Sequence, residues 1–85
     1  YPAMPEELFN QAGYMYLQMG QVVKSEVFFK MGIEYYPGSP NAYDSMADYY
    51  ESQGDYLNAL ANVAKAFELS GAEYYAERMK KLEKM

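Results

Sequence analysis

The sequence predicts an all-α chain of five antiparallel helices, and three observations carry that prediction. Apolar residues recur at helical spacing. Between Asn41 and Leu69, residues Tyr43, Met46, Ala47 and Tyr50 fall at i, i+3, i+4 and i+7, and Tyr56, Ala59, Leu60, Val63, Ala66 and Phe67 do the same one helix later. Turn residues stand between the periodic runs, with Gly54 placed to take a positive φ and Asp55 placed to cap the following helix. The whole pattern then repeats: a shift of 34 residues carries Gly54 to Gly20, Tyr50 to Tyr16, Ala47 to Gly13, Tyr43 to Phe9, Val63 to Phe29 and Ala66 to Gly32.

The elements follow in order. Tyr1 to Met4 read as a short lead-in. Pro5 suits a first helical turn, and Glu6 and Glu7 favour the positive end of the dipole. The first helix then runs to about Met19, burying Leu8, Phe9, Ala12, Tyr16 and Met19. Gly20-Gln21 turns the chain, and a second helix runs from about Val22 to Tyr36. Pro37-Gly38-Ser39-Pro40 stops it, with Ser39 as cap and Pro40 as the start of the third helix. The fourth helix begins at Tyr56 and ends near Ser70-Gly71. The fifth, about 72–84, sets Tyr75, Met79 and Leu82 on one side, with Arg78, Lys80, Lys81 and Lys84 around them. Small residues, Ala47, Ala59 and Ala66 among them, stand where helices would cross closely.

This arrangement resembles the tetratricopeptide repeat (TPR), a helix-turn-helix of 34 residues. The family's aromatic, leucine, small and tyrosine positions fall on Tyr43, Met46, Ala47 and Tyr50. Its later alanine, aromatic, alanine and proline positions fall on Ala59, Val63, Ala66 and Gly71. In the first copy Pro37 matches the family's proline, while Ala12 and Ser25 depart from it. The resemblance implies a single domain with repeat one at about 6–37, repeat two at about 40–71 and a capping helix at about 72–84. It also implies a right-handed superhelix. The fifth helix would start a third repeat, but Glu77, Lys80, Lys81 and Lys84 stand where apolar or small residues would be wanted. It therefore reads as a solvating cap over the fourth helix.

Composition excludes several function classes. There is no histidine and no cysteine, which removes the usual general base, the commonest metal ligand and any thiolate or disulfide. The net charge is −5, and it is uneven: residues 1–70 carry 3 basic and 9 acidic side chains, while residues 71–85 carry 4 basic and 3 acidic ones. An acidic body argues against nucleic acid as partner. No apolar run reaches the roughly 18 residues that a membrane span needs. A hydrophobic content of 51% argues against a disordered tail. The start at Tyr1 rather than Met points to a processed form or a domain of a larger protein.

No catalytic constellation, cofactor site or metal site emerges. Asp44 pairs with Asp48, and Asp48 with Glu51, on one helix face, which reads as a solvated acidic face or as part of a peptide-binding surface. In the repeat family the first helix of each pair lines a concave groove. The resemblance assigns that face to Asn10, Tyr14 and Leu17 in the first repeat, and to Asp44, Asp48 and Glu51 in the second. The carboxylate clamp of chaperone-binding repeats, built from Lys, Asn and Arg, is absent. Acidic groups there would favour a basic or polar segment, with Tyr14 as a stacking anchor. The second helix is apolar on more than one side: Val23, Val27 and Met31 lie at i, i+4 and i+8, with Phe28 beside them. That surplus either docks on another domain or a second copy, or belongs to the core. Glu26, at a position the family makes apolar, favours the core.

The run FNQAGYMYL, YYPGSPNAYDSMADYY and GDYLNALANVAKAFEL is similar to the repeat tails at the C-termini of bacterial serine hydrolases, both α/β-hydrolase esterases and β-lactamase-like proteins. That resemblance implies a bacterial setting, in cytoplasm or periplasm. It implies an accessory domain whose nucleophile would lie upstream, so the chain itself is expected to be non-catalytic. The functional expectation is an interaction module for a protein, a peptide or an upstream domain. The alternatives are a self-associating homodimer, or a site using the acidic face.

Overall fold

The computed structural model describes residues 4–85, so the expected lead-in at Tyr1–Ala3 lies outside the described residues. Among those described, the chain is all-α: α1 (Glu6–Gln18), α2 (Val22–Tyr35), α3 (Pro40–Ser52), α4 (Tyr56–Ser70) and α5 (Glu73–Glu83). Each helix packs on the next, and α1 also touches α3. The result is a slab of 37 × 27 × 15 Å, thin enough that most helices keep an open side.

The two hairpin turns are built alike. Gly20 and Gly54 take φ of 76° and 75°, a region open to glycine without strain. In the first turn Gln21 N–H donates to the Tyr16 carbonyl at 2.9 Å and Gly20 N–H to Leu17 at 3.1 Å. In the second, 34 residues on, Asp55 donates to Tyr50 at 2.9 Å and Gly54 to Glu51 at 3.0 Å. The same backbone solution thus closes α1–α2 and α3–α4. Asp55 caps α4, its carboxylate accepting from Asn58 N–H at 3.2 Å. Ser39 sits at the start of α3 but makes no side-chain cap bond. Its carbonyl accepts from Ala42 N–H instead, and Pro40 removes one of the donors that a cap would serve.

The core forms two clusters. Phe29, Met46 and Tyr49 join α2 to α3, with Tyr14, Leu17, Val22 and Ile33 packed around them. Ala47, Ala59, Val63, Ala66, Tyr75 and Leu82 join α3, α4 and α5. The alanines let the helices approach, and α5 closes the second cluster by burying Tyr75 and Leu82. Each of those contributes about 1.5–3 kcal/mol if fully removed from water. In the first hairpin the close approach uses Gly13 and Ser25, whose hydroxyl donates to the Gly13 carbonyl at 2.8 Å. Their period mates in the second hairpin are Ala47 and Ala59.

Several expected burials fail. Leu8 and Met19 are exposed, because α1 turns Phe9 and Gly13 inward, and Leu8 and Met19 fall on the opposite side. Tyr56 and Phe67 lie at the rim of α4 rather than inside. Tyr49, absent from the expected face of α3, is buried beneath Phe29.

Candidate functional site

The face built from the first helix of each pair is organised by one guanidinium. Arg78 leaves α5 and reaches across to α3, where it pairs with Asp44 through Nη1 and with Asp48 through Nη2. Glu51 Oε1 stands 3.4 Å away. Tyr14 of α1 donates its hydroxyl to the other oxygen of Asp48. Spacing on the chain explains the convergence. Asp44 lies 34 residues before Arg78, and Asp48 lies 34 residues after Tyr14, so equivalent positions on α1, α3 and α5 line up side by side.

Three carboxylates face one guanidinium, so the cluster keeps a net charge of about −2. Arg78 is only 13% exposed, whereas Asp48 and Glu51 remain 42% and 39% exposed. Burial works against the Arg78 charge, but Asp48 and Asp44 outweigh it and hold its pKa above the ordinary value. Asp44 moves upward from 3.8: burial is the main cause, the Asp48 charge adds to it, and Arg78 opposes it only in part. Tyr14 is pushed well above an ordinary phenol by burial and by its bond to the Asp48 carboxylate.

The six positions expected on the concave face do not behave alike. Asp44, Asp48 and Glu51 come together as expected, but their centre is occupied by Arg78. Tyr14 offers no free stacking surface, since its ring lies edge-on to Phe29 at 4.9 Å and its hydroxyl is engaged. Leu17 packs against the Phe29 cluster. Asn10 is half-buried. Arg78 is the residue that sequence reasoning missed: it was grouped with the lysines around α5. The 34-residue register from Asp44 was the signal that could have found it.

On α2, Val23 and Val27 are 74% and 48% exposed, Met31 is half-buried, and Phe28 stacks on Tyr16 at 5.5 Å. Glu26 pairs with Lys30 at 3.1 Å on the same helix. A cleft of about 240 Å³ opens beside the Arg78 cluster, with Glu51, Tyr74, Lys81 and Met85 in its walls. Among the described residues no group of three His, Cys, Asp or Glu side chains is placed to hold a metal ion, and no helix is long and apolar enough to cross a membrane. Compared with protein-family models and with curated proteins, the chain matches none.

Proposed function

We propose that this chain is a two-repeat TPR domain with a C-terminal capping helix, wound in a right-handed arc, and that it acts as a non-catalytic interaction module. One observation carries the reading: the Tyr16–Gln21 turn and its hydrogen bonds recur 34 residues on at Tyr50–Asp55, and α1, α3 and α5 align in that register. The setting we propose is the C-terminal accessory domain of a larger bacterial protein of the serine-hydrolase kind. There it would meet an upstream domain or a protein partner.

The contact we assign to this module is apolar rather than acidic. Asp44 and Asp48 are already engaged by Arg78, so they serve first as a clamp holding α5 across α3. Val23 and Val27 on α2, by contrast, expose aliphatic surface with no use in the core. The test has two arms. The chain is assayed against chromogenic ester, phosphate and glycoside substrates, and its mass is followed by light scattering over a concentration series. No turnover and a monomer at all concentrations support a module that serves another protein or domain. Turnover that disappears in Asp48→Asn overturns the non-catalytic reading. A dimer dissociated by Val27→Glu replaces the partner reading with self-association.

A further inference from the structure

Helix α1 carries an exposed apolar stripe that the fold leaves unused. Leu8 and Met15 are 46% and 49% exposed, and Met19 extends the stripe. The residues 34 positions on from Leu8, Gln11 and Met15 are Ala42, Ser45 and Tyr49, exposed by only 1%, 5% and 6%. The same face is therefore open on α1 and closed on α3. The difference is the helix in front. On α3 that helix is α2, whose Phe29 ring lies 6.4 Å from the Tyr49 ring, with Val22 and Ile33 in the same cluster. Among the described residues, α1 packs only against α2 and α3.

We propose that the Leu8–Met15–Met19 face of α1 docks an amphipathic helix of the α2 kind, with an aromatic residue where α2 has Phe29 and an aliphatic one a turn later, as at Ile33. The docked helix would continue the α2–α3 interface by one 34-residue period, so the inference rests on the repeat reading given above. An intact second copy cannot supply it. Its α2 already presents Phe29 to α3, and its α4 presents Val63, the period mate of Phe29, to the cluster closed by α5. The occupant is a helix from another protein or domain, and it recognises α1 by apolar side-chain packing.

The probe is a synthetic peptide of residues 21–36 of this chain, held helical by a staple across the outward Val23 and Val27 positions. It is titrated into the full chain labelled at the methionine methyls. Saturable shifts of Met15 and Met19, with Met46 and Met79 unmoved, support the proposal. So does at least tenfold weaker binding after Leu8→Glu with Met15→Glu, or after Phe29→Ala in the peptide. Both chain substitutions fall on exposed positions and should leave the circular dichroism spectrum unchanged. No shift at millimolar peptide overturns the proposal. A shift at Met46 also overturns it, because the peptide would then be replacing the chain's own α2. A dimer that the same double substitution dissociates overturns it in favour of a second copy. Contacts between the Met46 methyl and the Phe29 ring, read in the same spectra, report the α2–α3 packing separately. With those intact, a failed titration sinks only the docked helix; without them, the repeat reading fails too.

Discussion

Replacing Gly13 by alanine should destabilise this chain, while the same change at Gly32 should stabilise it. Both glycines lie inside helices, where alanine gains about 1 kcal/mol over glycine by propensity alone. Their surroundings differ. A Cβ on Gly13 would lie 2.5, 2.6 and 2.7 Å from three atoms of the Phe29 ring. That ring is fully buried, held edge-on by Tyr14 at 4.9 Å and close to Tyr49 at 6.4 Å, so it has little room to retreat. Overpacking of this sort costs about 1–3 kcal/mol, and three contacts this short place it in the upper half of that range. After the propensity gain, Gly13→Ala should lose about 1–2 kcal/mol. A Cβ on Gly32 meets only the Phe9 Cβ at 3.5 Å, an ordinary contact, so most of the gain should survive there. The two variants should differ by about 2 kcal/mol. At about 4–8 °C per kcal/mol for a chain of this size, their thermal midpoints should separate by roughly 10 °C. Urea and thermal unfolding followed by circular dichroism read this directly. Adding Phe29→Leu to Gly13→Ala should recover part of the loss relative to Phe29→Leu alone. Equal stabilisation by both alanines would refute the close approach of α1 and α2 at Gly13.

Further predictions concern the Arg78 cluster. Arg78→Met should cost about 2 kcal/mol, between the values for exposed and buried ion pairs, because it leaves three carboxylates facing one another. Hydrogen exchange should show the loss first in α5, and Arg78→Lys should restore only part of it, since an ammonium cannot fork between Asp44 and Asp48. Asp44, whose folded pKa lies above 3.8, favours folding in its protonated form. Its contribution is complete below 3.8 and is lost as pH rises through the folded pKa. Asp44→Asn should therefore remove a decline in stability just above pH 3.8, measured by urea unfolding at stepped pH. Tyr14 should ionise later than an ordinary tyrosine in an ultraviolet titration, and Tyr14→Phe should remove that late step.

The helices were legible because their signals are local. Gly20, Gly54 and Gly71 take positive φ where turns were expected, and helix ends fall within about one residue of those read from periodicity. The roles of particular faces were less legible, because they depend on which helix lies opposite. Leu8 and Met19 have the right spacing for burial, yet nothing among the described residues covers them. Tyr14 and Leu17 read as groove residues until the Phe29 cluster claims them. Arg78 looked like one more surface cation, since its own helix gives no hint that Asp44 and Asp48 lie across from it. Only the 34-residue register, applied to polar as well as apolar positions, links them. Ser25 likewise departs from the small apolar residue expected, and its hydroxyl finds the Gly13 carbonyl that no sequence pattern points to.

The central claim is that this chain is a monomeric module whose open apolar helix faces await a different protein or domain. Its most direct test is the mass in solution, by light scattering across a wide concentration range. The account predicts 9.8 kDa throughout, with the Val23 and Val27 side chains and the α1 stripe open to solvent. A stable dimer that Val27→Glu or Leu8→Glu dissociates, with the helical content unchanged, would contradict it.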